Sequence, residues 1–117
     1  MNCYSNGISE IFIGNLFKKY IKNKSDIIVA TKVRWNPEAL SKESFLREID
    51  LSLKILQLDY LYLYIIHRWD YDHPIEETME VLNELVKNKK VRYIGCSALF
   101  SYQVIKANMI ARKNGWA

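Results

Sequence analysis

Cysteine is scarce: Cys3 and Cys96 are the whole complement of a 117-residue chain. They stand far apart, with no Cys-x-x-Cys or Cys/His ligand spacing. Neither a disulfide framework nor a structural zinc site is indicated, and a reducing compartment is the simplest setting. No apolar run approaches the roughly 18 residues that a membrane span needs. The opening Met1-Asn2-Cys3-Tyr4-Ser5-Asn6-Gly7 has no charged stretch leading into an apolar one, so it does not read as a secretory leader. Gly-x-Gly-x-x-Gly follows none of the strands argued below, which weakens a dinucleotide-binding Rossmann reading. Charge of one sign is not concentrated either. Seventeen Lys and Arg against thirteen Asp and Glu leave +4, spread along the chain and placed mainly at helix ends. Nucleic-acid binding is therefore not expected, nor is a membrane partner. What the chain does have is a half-hydrophobic, 26% charged composition, that of one folded, soluble, cytoplasmic domain rather than a disordered segment.

Hydrophobic spacing divides that domain into alternating elements. Ser9 to about Lys22 carries Phe12, Ile13, Leu16, Phe17 and Tyr20 on one 3.6-residue face, with Ser9 as a possible cap. Gly14 in its middle costs about 1 kcal/mol against alanine and so points to close packing there. Ile27 to Val33 is a β-branched run suited to a strand buried on both faces. A second helix is expected from Ser41 to Leu56, its stripe formed by Leu46, Ile49, Leu53 and Leu56. A strand follows over Asp59–His67, in which period two sets Leu61, Leu63, Ile65 and His67 against Tyr60, Tyr62, Tyr64 and Ile66. Pro74 opens a third helix with Ile75, Met79, Leu82, Leu85 and Val86 inward. Glu76, Glu77 and Glu80 lie in its opening turns and Lys87, Lys89 and Lys90 close it, which complements the helix dipole and gives the lysines a structural explanation. Val91–Ser97 is a third strand, and Ser101–Asn114 a fourth helix with Gly115 as a left-handed cap. Strands separated by helices imply right-handed crossovers, a parallel sheet and helices outside it.

Three chemically capable residues fall in equivalent places. Lys32, His67 and Ser97 each lie at or beside the C-terminal end of a strand, the end at which a (β/α) barrel builds its active site. Lys32 alone has an ordinary explanation as a solvated loop residue, and His67 alone is no stronger. Their coincidence on three strands is what raises them to candidates. A lysine ending an apolar strand also calls for an acidic or phenolic partner. Trp35 and Trp69 follow strand ends and are candidate pocket walls. His73 reads as a helix-start residue, and Cys96 as a small buried hydrophobe.

Five ordered blocks then resemble a known family: Tyr4-Ser5-Asn6-Gly7-Ile8-Ser9-Glu10, Ala30-Thr31-Lys32-Val33, Ile66-His67-Arg68-Trp69-Asp70, Pro74-Ile75-Glu76-Glu77-Thr78 and Val91-Arg92-Tyr93-Ile94-Gly95-Cys96-Ser97. They look like the aldo-keto reductases, in particular the aryl-alcohol dehydrogenase-like branch, from Tyr4 to Trp116. The resemblance implies an NADP(H)-dependent oxidoreductase interconverting aldehydes or ketones with alcohols. It implies Tyr4 as the proton donor, Lys32 as the cation that lowers the tyrosine's pKa, His67 as the group orienting the carbonyl, and Ser97 as the contact to the nicotinamide carboxamide. The family's aspartate, five positions before the tyrosine, would fall before Met1. Ala98, Tyr62 and Ile65 stand where relatives often carry polar groups.

The expected fold is α/β, a partial (β/α)8 TIM barrel of about three parallel strands with four helices. Such barrels run to about 250 residues, so the chain reads as one partial domain, a truncated, split or eroded copy. The alternative reading is a non-catalytic interaction module. Open sheet edges would suit self-association or a complementing chain.

Overall fold

The computed structural model describes residues 8–33 and 42–117. Tyr4 and Trp35 lie outside these. Among the described residues four helices alternate with three strands: α1 (Ile8–Tyr20), β1 (Ala30–Lys32), α2 (Lys42–Leu56), β2 (Leu61–Ile66), α3 (Ile75–Lys87), β3 (Val91–Cys96) and α4 (Ser101–Asn114). A short 3-10 turn at Lys24–Asp26 precedes β1. The strands form one parallel sheet in the order β1-β2-β3, so each crossover is helical as the alternation requires.

The helix-side face of the sheet holds the core. Val33, Tyr64 and Ile66 meet Phe45, Ile49, Leu53 and Leu56 of α2 and Ile75, Met79, Leu82 and Leu85 of α3, the inward stripes that the spacing of those two helices requires. The opposite face has no covering layer among the described residues. Across it, register aligns Ala30 with Leu63 and Tyr93, and Lys32 with Ile65 and Gly95. A Cβ at Gly95 would lie 3.4 Å from Leu63 and 3.7 Å from Ile65, which fixes all three side-chain positions on the open face.

Helix α1 packs differently from its pattern. Phe12, Ile13, Leu16 and Tyr20, expected inward, are exposed, while the buried positions are Glu10 and Gly14, with Phe17, also expected inward, and Ile21 half-buried below them. These lie three or four apart and form one narrow stripe against α2. The reason is the contact itself: a Cβ at Gly14 would come within 2.2 Å of the Ile55 carbonyl oxygen. Backbone-to-backbone approach at Gly14 selects that face, and the broad apolar side is left outward. The helix also begins one residue early, so Ser9 lies inside it rather than capping it.

Three further expectations are corrected. Strand β1 is three residues long, not seven; Ile28 is exposed, and beyond the strand only Val29, through its carbonyl, and Val33, through its N–H, continue the pairing. The Val29 carbonyl receives two donors in succession, the N–H of Tyr62 at 3.1 Å and the N–H of Leu63 at 3.2 Å. Two residues of β2 thus oppose one of its neighbour, the arrangement of a β-bulge. The period-two pattern breaks there: Leu61 is fully buried beside Val91, then Tyr62 and Leu63 are both half-buried, and Tyr64 is buried again. Leu61 therefore joins Tyr64 and Ile66 in the core instead of sharing a face with Leu63. Cys96 is exposed, not buried, because it ends an edge strand.

Chain reversals after α2 and α3 place Gln57 and Lys89 in the left-handed region (φ 58° for each). Gly115 takes the same conformation after α4 (φ 65°), with Trp116 N–H bonded to the Ala111 carbonyl at 2.9 Å. That is the glycine cap expected from the sequence.

Candidate active site

The C-terminal ends of three adjacent parallel strands bring Lys32, His67 and Ser97 together. Lys32 is the last residue of β1 and, by register with Ile65 and Gly95, projects on the open face. His67 and Ser97 follow β2 and β3 by one residue each. Ser97 is held to the sheet by its N–H, which donates to the Ile66 carbonyl at 2.9 Å, and Val33 N–H donates to Ile65 at 2.9 Å. Beyond Ser97 the chain turns away through Ala98 in the left-handed region (φ 54°), at a cost of about 1–2 kcal/mol for a residue with a Cβ.

Strands β1 and β3 are separated by β2, so Lys32 and Ser97 lie about 10 Å apart in the sheet direction. The lysine stem spans that gap. Its Nζ approaches Ser97 Oγ to 3.5 Å, the outer limit of a hydrogen bond. The ammonium consequently passes near His67, which lies two residues beyond Ile65 on the strand between. Burial lowers the His67 pKa below 6.5, and the positive charges of Lys32 and then Arg68 lower it further. His67 is thus neutral at neutral pH. Its Nδ1 is buried without a hydrogen-bond partner among the described residues. A neutral imidazole, an ammonium and a hydroxyl converge on one open surface. That set can orient a carbonyl oxygen, stabilise charge developing on it and bind an amide.

The acidic or phenolic partner expected for Lys32 is not seen among the described residues. No carboxylate there lies within ion-pair distance of its Nζ. Trp69 is half-buried and packs against the core cluster, where it lines a small cleft with Asp70, His73, Ile75, Thr78 and Leu99. His73 is engaged by Asp70, Nδ1 to Oδ2 at 2.7 Å, and Asp70 also accepts from the Asp72 N–H at 2.8 Å. This local turn leads into α3, as its position before Pro74 suggests. Among the described residues no group of three or more His, Cys, Asp or Glu is placed to hold a metal ion. None of the helices there is long and apolar enough to cross a membrane.

The perturbed His67 predicts a pH dependence of stability. With its folded pKa below 6.5, the unfolded chain binds the proton more tightly. The stabilisation is complete above about pH 6.5 and is lost as pH falls from there through the folded pKa. Urea unfolding from about pH 7.5 to about pH 5 should show this loss, and His67→Gln should remove that part of it. Identical pH profiles for parent and variant would contradict the placement of His67 beside Lys32.

Sequence reasoning missed one functional-looking residue. Glu10 is buried, and its carboxylate accepts from Thr31 Oγ1 at 2.7 Å and from Ser52 Oγ at 3.1 and 3.2 Å. Its position four residues before Gly14, on the narrow face of α1, was the available signal.

Residues 2–115 match the sequence profile of the Aldo/keto reductase family. Curated relatives include an aryl-alcohol dehydrogenase of Pestalotiopsis microspora, 37% identical over 97% of this chain and 32% of its own length. A norsolorinic acid reductase of Aspergillus flavus is 33% identical over 97% of this chain and 32% of its own length. Among solved structures, a thermostable aldo-keto reductase in complex with the inhibitor epalrestat superposes with a TM-score of 0.85 at 32% identity, covering 93% of this chain and 38% of that one. An aldo-keto reductase from Bacillus halodurans in its holo form gives 0.76 at 33% identity, covering 90% and 37%. The chain spans about a third of the length of the curated relatives it matches.

Proposed function

Because this chain belongs to the aldo/keto reductase family, we propose that it carries part of the active-site floor of an NADP(H)-linked oxidoreductase acting on small aldehydes, ketones or alcohols. The observation that carries the reading is the convergence of Lys32 and Ser97, Nζ to Oγ 3.5 Å, across the strand that ends in His67. In this reading the nicotinamide cofactor supplies the hydride. Tyr4 donates the proton to the carbonyl oxygen, and the Lys32 ammonium favours the phenolate that remains. A phenol titrating ordinarily near 10 needs such a cation to work at neutral pH. Neutral His67 offers an N–H to the same oxygen and orients it. The described residues fit the nicotinamide end of the cofactor: Ser97 offers a hydroxyl that can donate to or accept from a carboxamide, and Gly95 leaves the floor beside it bare of a side chain. Trp69 and Trp35 would wall the substrate. A cytoplasmic setting suits the cofactor and the two cysteines.

NADPH consumption with an aromatic aldehyde tests the proposal, measured for the chain alone and for the chain mixed with the complementary strand-helix units of a relative. Turnover in either arm should be lost in Tyr4→Phe and in Lys32→Met. Turnover that survives both substitutions, or folded protein inert in both arms, would sink it.

A second reading, an interaction module, is favoured by the exposed apolar side of α1, where Ile8, Phe12 and Tyr20 are each more than half exposed, together with the uncovered sheet face. Apolar surface of this kind suits self-association or a complementing chain. A monodisperse monomer in light scattering, unchanged when complementary units are added, would count against it.

A further inference from the structure

Among the described residues Glu10 is the one buried charged side chain, with 3% of its surface exposed. Taking a carboxylate out of water costs several kcal/mol unless it is well hydrogen-bonded, and an apolar side chain would hold a helix against a neighbour without that cost. What the carboxylate adds is two acceptor oxygens, which can bind donors on different elements at once. Glu10 does this. Oε1 accepts from Thr31 of β1 at 2.7 Å, and both oxygens accept from Ser52 of α2 at 3.1 and 3.2 Å. One turn further along α1, Gly14 sits directly on the Ile55 backbone. The first turn of α1 is therefore fixed in two directions, toward the sheet by a hydrogen bond and toward α2 by contact.

The strand residue that Glu10 grips is the one immediately before Lys32. Thr31 and Lys32 project to opposite faces of β1, so holding the threonine on the helix side holds the lysine on the open side. On the other side of the clamp, Ile8 is four residues from Tyr4, a length of chain that reaches at most about 14 Å. We propose that Glu10 is a positioning residue: its carboxylate, bound to Thr31 and Ser52, fixes the point at which the chain enters α1 relative to β1, and so fixes the separation open to Tyr4 and Lys32. The inference rests on the reading of those two residues as proton donor and activating cation, and assigns the geometry of that pair to a third group remote from the open face.

Pulsed electron paramagnetic resonance tests it without requiring turnover. Spin labels at Tyr4→Cys and Ala30→Cys, in a Cys3→Ser, Cys96→Ser background, report the separation between the Tyr4 position and β1. The expected result is a single narrow distance that is lost in Glu10→Ala and in the isosteric Thr31→Val, and kept in Glu10→Gln, whose amide oxygen can still accept. Thr31→Val carries the test if Glu10→Ala does not fold. Equal distance widths in all four proteins, or a broad distribution in the parent, would overturn the inference. A second readout is the titration of the Tyr4 phenol by NMR, its signal identified by Tyr4→Phe. It should move up in Glu10→Ala and stay in place in Glu10→Gln, read where circular dichroism shows both variants folded, because unfolding alone would also return the phenol to its ordinary range near 10. A phenol unmoved by Glu10→Ala although depressed in the parent would overturn the inference and leave the proton-donor reading standing. A narrow parent distance that depends on Glu10, with a Tyr4 phenol titrating normally, would sustain the positioning role and sink the proton-donor assignment.

Discussion

Replacing Gly14 with alanine is expected to destabilise the fold by about 2–3 kcal/mol, the usual cost of forcing extra atoms into a packed contact. Helix propensity alone argues the other way, since alanine is favoured over glycine by about 1 kcal/mol within a helix. The contact decides the sign. The added carbon would meet the Ile55 carbonyl oxygen at 2.2 Å and the Ile55 carbonyl carbon and Leu56 Cα at 3.2 Å. All three are backbone atoms of α2, so no side chain can rotate aside, and α1 must lift. Lifting α1 also draws Glu10 from Thr31 and Ser52. Urea denaturation measures the change, and a Gly14→Ala protein as stable as its parent would mean that the two helices are not in contact there.

The second large effect is expected at Phe45. This residue is fully buried on α2, and its ring lies edge-on to Tyr64 of β2, with centroids 6.4 Å apart and planes at 73°. Truncation to alanine should cost about 3–5 kcal/mol, through lost burial and the cavity left between helix and sheet. Its partner predicts the opposite sign. The Tyr64 hydroxyl is buried without a hydrogen-bond partner among the described residues, and burial, with Glu48 and Glu10 adding to it, pushes the phenol far above its usual range. Tyr64→Phe keeps the ring and removes the unsatisfied oxygen, so a gain of about 1 kcal/mol is expected. Paired denaturation curves for the two variants check both signs across one contact. Destabilisation by Tyr64→Phe would reveal a partner for the hydroxyl.

Alternation of elements was legible because the stripes of α2 and α3 have only one sheet face to meet. Ile49, Leu53 and Leu56, like Ile75, Met79, Leu82 and Leu85, are inward for that reason. The stripe of α1 misled because periodicity reports where apolar residues cluster, not which cluster finds a partner. Phe12 and Tyr20 form the more obvious face, yet a glycine and a buried glutamate define the packed one. The seven-residue strand expected around β1 failed similarly: β-branched composition favours extended backbone, but pairing needs a neighbour, and among the described residues β1 meets only β2. Lys32, His67 and Ser97 were legible from strand ends alone, because parallel strands bring like ends together. Their detailed relation was not. The 3.5 Å approach of Lys32 to Ser97 depends on a long side chain crossing an intervening strand, which spacing in sequence does not encode.

The paired donors of Tyr62 and Leu63 on one carbonyl have a consequence for how this segment can change length. In an unbroken strand Leu61 and His67, six residues apart, would project to the same side. Here one is wholly within the core and the other is aligned with the open face, because the extra residue reverses the phase between them. Deleting Tyr62 would restore strict alternation and force a choice: either Leu61 leaves the core or His67 turns toward the helices. A single-residue deletion at this point therefore displaces either a core side chain or a candidate site side chain without altering it, whereas the same deletion in the turn between Asp70 and Pro74 leaves the strand's phase intact.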